Sequence, residues 1–302
     1  MALLVALAAC GPADREAAGR APAAGASRPG GDSVAAVDAA GRRVALAAPA
    51  RRVVSLVPSA TDIALALGAR AQLAGRTRYD EGAEVAALPS VGGGLDPSVE
   101  TLLALRPDLV VVWESSGGGP RAALDAAGLR TFSVRLEDTT DVFAAIDEIG
   151  RLLGRDAEAR ALADSVRAQL EAVRRSVRGL PPTTALYVAG ISPPMTAGPG
   201  TFVGQLLRLA GGRSVFDDVD QLWPTVAIEE IVRRQPDVVI LPVTPTPEVT
   251  PATLRELPGW RELRAVREGR VVTVPVALLG RPGPEMGKAA RLLRDALHPA
   301  AR

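Results

Sequence analysis

Two stretches decide the fold, Glu100-Thr-Leu-Leu-Ala-Leu-Arg-Pro-Asp-Leu-Val-Val-Val112 and Glu229-Glu-Ile-Val-Arg-Arg-Gln-Pro-Asp-Val-Val-Ile-Leu241. In each, a Glu opens a short amphipathic helix, Pro-Asp stops it, and a run of apolar, mostly β-branched residues follows. Such a run suits a strand covered on both faces, so each stretch predicts a helix, a turn and a buried strand. The unit occurs once in each half of the chain, which predicts two similar α/β lobes with a cleft between them. A cleft without catalytic apparatus points to a binding protein.

Outward from the first unit, strands are expected at 53–57, 73–77, 109–112 and 131–134, with helices from Glu100, over 121–128 and over 141–153. A small leading strand is expected at 42–45. Alternation of this kind argues for mainly parallel sheets. Ser59-Ala60-Thr61-Asp62 has the Ser-x-x-acid form of a helix N-cap. Ser59 is also a candidate ligand contact, because open α/β folds bind ligands where strands give way to helices.

Residues 156–178 carry Leu162, Val166, Leu170, Val173 and Val177 at spacings of three and four. A helix of that length spans ~35 Å, enough to bridge two lobes and to limit their closure on a ligand. The second lobe is expected to hold strands at 185–189, 238–241 and 271–274. Its helices are expected at 201–210, from Glu229 and at 285–297. Loops are expected at 193–198, 217–224, 242–251 and 276–284. The resulting division is a signal segment at 1–10, a disordered tether at 11–38, a first lobe at 39–155, a bridging helix at 156–180 and a second lobe at 181–302.

Residues 1–9 are apolar, and Leu7-Ala8-Ala9-Cys10 places small residues before the only cysteine. That is the tail of an export signal rather than a membrane span, which needs ~20 residues. Leu-Ala-Ala-Cys resembles a bacterial lipobox, so Cys10 is the expected lipidation site. The basic segment that ordinarily opens such a signal is missing, which leaves a start upstream of Met1 open.

The 35 basic and 34 acidic residues give a net charge of +1, and no basic stripe is present, so nucleic acid is not an expected partner. His298, the single histidine, lies near the end of the chain. A metal site built on several imidazoles and a Ser-His-Asp or Cys-His centre of ordinary design are therefore not expected. Gly92-Gly93-Gly94 and Gly117-Gly118-Gly119 lack the lysine of a phosphate loop and read as flexible turns.

Arg52-Val-Val-Ser-Leu-Val-Pro-Ser-Ala-Thr-Asp-Ile-Ala-Leu-Ala-Leu-Gly68 resembles the opening of the helical-backbone substrate-binding proteins of bacterial ABC importers, which capture cobalamin, haem or iron-siderophores. Leu103-Ala-Leu-Arg-Pro-Asp-Leu-Val-Val-Val-Trp113, Ser192-Pro-Pro-Met-Thr-Ala-Gly198, Trp223-Pro224 and Arg281-Pro-Gly-Pro284 look most like the cobalamin-binding branch. The resemblance implies a monomeric binding protein, not an enzyme, with no cofactor and no resident metal. It would be lipid-anchored on the extracytoplasmic face of the cell envelope and would deliver a corrinoid, cobalamin or cobinamide, to a permease dimer. Tyr79, Trp113 and Trp223 fall where that branch lays aromatic side chains on the corrin. Met195 stands where it has an aromatic, and Arg281 matches an arginine that reaches the ligand's polar periphery. Flat aromatic walls suit a broad, partly apolar disc, although core packing is the competing role for the same side chains.

Two departures bear on the ligand. A tryptophan expected in the 91–93 region is replaced by glycine, and an acidic residue expected before Leu278 is Ala277. A different corrinoid, a haem or a ferric siderophore therefore remains an alternative, and outside the family so do a cleft enzyme and a sensory or scaffold protein. Glu100 and Glu229 match the acidic positions that dock each lobe on permease arginines. The competing role for each is a favourable charge at its helix N-terminus, worth ~0.3–1 kcal/mol.

Overall fold

The fold is seen in a computed structural model that describes residues 33–114, 119–244 and 249–299. Cys10, with the signal segment and most of the tether, lies outside the described residues. The first lobe holds strands β1 (Val34–Val37), β2 (Arg43–Leu46), β3 (Val53–Ser55), β4 (Leu73–Gly75), β5 (Leu109–Trp113) and β6 (Thr131–Val134). Its helices are α1 (Pro58–Ala66), α2 (Ala83–Ala86), α3 (Val99–Leu105), α4 (Arg121–Ala126) and α5 (Thr139–Leu153). The bridging helix is α6 (Asp156–Ser176). The second lobe holds β7 (Thr183–Tyr187), β8 (Gly190–Ile191), β9 (Pro194–Met195), β10 (Gly212–Ser214), β11 (Val238–Val243) and β12 (Val271–Pro275). Its helices are α7 (Phe202–Leu209), α8 (Ile228–Arg234), α9 (Pro251–Glu256), α10 (Arg264–Arg267), α11 (Val276–Leu279) and α12 (Met286–Leu297).

Each lobe is built on a four-stranded parallel sheet, in the orders β4-β3-β5-β6 and β10-β7-β11-β12. In both, the first strand of the sheet in chain order is flanked by the second and third, and the fourth lies outside the third. The lobes thus share one topology, as the repeated unit predicts. The likeness extends to the backbone: α3 and α8 end on left-handed Arg106 (φ 46°) and Gln235 (φ 45°). The proline after each disfavours a right-handed helical residue there.

Strand residues alternate between two apolar layers. Val53, Leu109 and Val111 join the largest cluster, while Val54, Val110 and Val112 face a second one under α3 and α4. In the other lobe Ala185, Tyr187, Val238 and Ile240 enter that same largest cluster, and Leu186, Val188, Val239 and Leu241 face a third. One face of each sheet therefore contributes to a single core, completed by Ala159, Ala163, Val166, Leu170 and Val173 of α6 and by residues of α5, α7 and α12. Acids in the first turn of α6 and arginines in its last complement the helix dipole.

Four expectations are corrected. The stretch read as tether, 11–38, contains β1, which pairs antiparallel with β2. Four residues of Val and Ala are too few to betray a strand by pattern. Ser59 does not cap α1: the cap is Val57, and Pro58 takes the first turn, where a missing N–H costs nothing. The Ser55 hydroxyl instead donates to the Val57 carbonyl at 2.8 Å and accepts from the Val57 amide at 3.1 Å. The loop expected at 193–198 contains β9, paired with β8, and the loop at 276–284 contains α11.

Candidate functional site

In a parallel sheet the helices return the chain, so the carboxyl ends of all strands open on one edge. The six sequence-derived ligand candidates follow the strands of the two parallel sheets: Ser59 after β3, Tyr79 after β4, Trp113 at the end of β5, Met195 in β9 of the hairpin beyond β7, Trp223 after β10 and Arg281 after β12. Tyr79 is 54% exposed and Trp223 41%. Trp113 is half-buried and packs on the shared core, whereas the Ser59 side chain is buried. Leu95 and Leu222, in loops, and Val276, which opens α11, are further exposed apolar residues that sequence reasoning did not single out.

Met195 and Trp223 are brought together by main-chain contacts. Met195 bridges Thr225, the Val226 amide donates to the Pro194 carbonyl at 2.9 Å, and the Gly198 amide donates to the Leu222 carbonyl at 2.8 Å. A Cβ at Gly198 would overlap the Gln221 carbonyl, so only glycine allows the Trp223 loop to lie this close.

Tyr79 and Arg281 meet across the cleft. The Arg281 guanidinium donates to the Tyr79 carbonyl at 2.6 Å, joining residues 202 positions apart in the chain. Behind Tyr79, Asp80 Oδ2 accepts from the Thr77 amide and hydroxyl at 2.6 and 2.7 Å, while Oδ1 is buried without a partner among the described residues. Burial pushes the half-buried Asp62 carboxyl above its usual range; Arg281 opposes this, and Asp80 and Glu285 add to it.

Arg78 completes this side of the cleft. Its guanidinium sits 5.3 Å from the centre of the Tyr79 ring and binds Asp96 at 2.6 Å. A Cβ at Gly93 would overlap the Asp96 carboxylate and Arg78. The ion pair thus occupies the space that a side chain would need where the resemblance expects tryptophan. The sequence carries no signal for this pair.

Glu100 and Glu229 lie in the first turns of α3 and α8, exposed and without an ion-pair partner among the described residues. Ser98 caps α3, its hydroxyl accepting from the Thr101 amide at 3.2 Å, whereas Ala227 offers no side chain to α8. The neighbouring Glu230 is instead tied to Arg233 and Arg234. Among the described residues no group of three or more His, Cys, Asp or Glu is placed to hold a metal ion, and no helix is long and apolar enough to cross a membrane.

The sequence profile of the family described as periplasmic binding protein matches residues 53–278. The chain is 28% identical over 270 residues to an uncharacterized ABC transporter substrate-binding lipoprotein, YvrC, of Bacillus subtilis, covering 87% of this chain and 84% of that one. It is 30% identical over 197 residues to the vitamin B12-binding protein of Yersinia pestis, covering 64% and 69%. The periplasmic heme-binding protein RhuT from Roseiflexus superposes with a TM-score of 0.73 at 26% identity, over 83% of this chain and 99% of that one.

Proposed function

The chain belongs to the periplasmic binding protein family and serves an ABC transporter as its substrate-binding protein; from that premise we propose that its ligand is a corrinoid, cobalamin or cobinamide, held between the lobes. One observation supports the reading: Arg281 of the second lobe bonds the Tyr79 carbonyl of the first, and Tyr79 and Trp223 are exposed on opposite lobes. Broad aromatic faces without a catalytic centre suit the capture of a large, partly apolar disc. The vitamin B12-binding relative supports this choice.

In this reading Tyr79, Trp113, Met195 and Trp223 line the disc, Arg281 meets its polar periphery, and Ser59 supports the loop beneath. Glu100 and Glu229 dock the two lobes on the permease, and Cys10 carries the lipid that holds the protein at the extracytoplasmic face. Calorimetry with purified protein tests the ligand. Saturable binding of cyanocobalamin or cobinamide at one per chain is expected, and no heat with either, beside saturable haem binding, would overturn the corrinoid reading. Replacement of Cys10 by Ser is expected to move the protein out of the membrane fraction; a variant that still pellets with membranes refutes the anchor.

Haem is the second reading. It is favoured by the charged Arg78–Asp96 pair standing where the resemblance expects an aromatic wall, and by the heme-binding structural relative.

A further inference from the structure

The loops that enter the strands of the two parallel sheets are rich in arginine. Arg51 and Arg52 stand before β3, Arg106 before β5, Arg130 before β6, Arg178 before β7 and Arg270 before β12. All are exposed, and none has an ion-pair partner among the described residues. They are scattered along the chain, so no basic run betrays them. On the cleft side the free charges have the other sign: Glu81 after β4, Glu137 after β6, and Glu100 and Glu229 at their helix starts also lack an ion-pair partner among the described residues.

The arginines share one side of the molecule. α5 returns the chain to the amino edge of the first sheet, where the Ala50 amide, just before β3, donates to the Leu152 carbonyl at 2.9 Å. α6 starts there and ends at the loop that enters β7. The amino edges of both sheets therefore lie along α6, away from the cleft. The nearby acids do not cancel the charge. Asp237 is paired with Arg264, and Asp108 is committed to the Arg51 and Arg52 amides. Glu84, Asp156, Glu262 and Glu268 are outnumbered by the arginines, to which Arg70 and Arg267 add.

The chain from Cys10 enters the fold on this same side. Val34 pairs with Leu46, which lies three residues before Pro49, and Pro49 packs on Gly154 at the end of α5. Between Cys10 and Val34, Arg15, Arg20 and Arg28 are balanced by Asp14, Glu16 and Asp32, so the excess positive charge belongs to the folded face. Guanidinium groups suit phosphate oxygens, and a broad face beside an anchored tether is held close to a bilayer.

We propose that this face docks on the anionic phospholipid headgroups of the membrane, so that the protein rests with its cleft turned to solvent and turns over to meet the permease. The docking rests on the extracytoplasmic, anchored reading and not on the identity of the ligand. It orients a protein that the anchor already holds, since screening at physiological salt leaves the contact weak by itself.

Sedimentation of the full chain carrying Cys10→Ser with vesicles tests the face without a lipid anchor. At about 0.01 M salt, vesicles containing phosphatidylglycerol are expected to bind it at least tenfold more tightly than phosphatidylcholine alone, and about 0.15 M salt to remove most of that preference. Each arginine near an anionic surface is worth about fivefold, so Arg106→Gln with Arg130→Gln should lower binding by tenfold or more. Arg121→Gln with Arg135→Gln, the same change in net charge outside this face, should stay within about twofold of the parent. Acrylamide quenching of Trp223, the most exposed tryptophan, should be the same with and without the anionic vesicles. Equal binding to both vesicles, equal loss in the two double variants, or protection of Trp223 overturns the docking. A duplex oligonucleotide that binds more tightly than the anionic vesicles, with the same dependence on Arg106 and Arg130, overturns the choice of lipid. Failure here leaves the anchor to be judged by fractionation at physiological salt, where Cys10 and not this face decides the outcome.

Discussion

Asp108 and Asp237 do the same work in the two lobes. Asp108 accepts from the Arg51 and Arg52 amides at 2.8 and 2.9 Å, just before β3. Asp237 accepts from the Thr184 amide at 3.2 Å and its hydroxyl at 2.6 Å, at the start of β7. Each carboxylate pins the first strand of its parallel sheet, β3 or β7, to the third, β5 or β11, so the Pro-Asp that ends each helix also sets the register of the sheet.

Replacing Asp237 by Asn is therefore expected to cost about 1–2 kcal/mol at neutral pH, the worth of hydrogen bonds to a charged acceptor. The Thr184 hydroxyl and amide hold the Asp237 carboxyl below its usual range. A carboxyl depressed in the folded state stabilises the fold above its ordinary value and loses that effect as pH falls through the folded one. Denaturant melts should show the gap between parent and variant closing below about pH 4. A gap that widens in acid would contradict the assignment.

Trp223→Ala is expected to weaken ligand binding by ~2–4 kcal/mol, as loss of a flat anchoring wall does. The side chain is 41% exposed and its loop is held by the main chain of Gly198 and Thr196, so the melting temperature should stay near that of the parent. Unchanged affinity with a lowered melting temperature would place Trp223 in the core instead.

Glu148, half-buried on α5, has its carboxyl pushed up to about 7 by burial; Arg151 opposes the shift, while Asp38 and Asp147 add to it. The folded protein holds that proton more tightly than the unfolded chain, so stability falls as pH rises from the ordinary glutamate value to about 7. Glu148→Gln should be close to neutral at pH 4 and stabilising at pH 8. Partial solvent screening reduces the gain to about 1 kcal/mol. A variant less stable than the parent at pH 8 would refute the account.

Glu100→Arg combined with Glu229→Arg is expected to abolish uptake in cells while ligand affinity stays at the parent value. Both carboxylates are exposed at equivalent helix starts, and like charges set against each other at an interface cost several kcal/mol. Each single change should do less than the pair. Normal uptake by the double variant, or a matching loss of affinity, removes the docking role.

The chain announces its sheets more clearly than its cleft. β5 and β11 are unbroken apolar runs behind Pro-Asp, and their pattern alone places them at the centre of their lobes. β1, β9 and β10 are short and built of small or mixed residues, and they exist because neighbouring strands offer them hydrogen bonds. Ser59 misleads because Pro58 starts α1 first. Apart from Ser59, which the strand-to-helix turn itself suggests, the candidate residues come from family resemblance. The contacts that join them were not legible, since Arg281 meets Tyr79 and Arg78 meets Asp96 only once distant segments are folded together.

The core shared by both sheets has a consequence for how the protein comes apart. Because α5, α6, α7 and α12 bury their apolar faces in one cluster with strands of both lobes, neither half can shed its layer without exposing the other's. The lobes are thus one cooperative folding unit rather than two modules on a hinge, and neither half should fold when expressed by itself. What can loosen independently is the outer layer of the second lobe, where Trp260, Leu254 and Ile231 form a cluster of their own. Amide hydrogens there should exchange before those of β3, β5 and β7, whatever occupies the cleft.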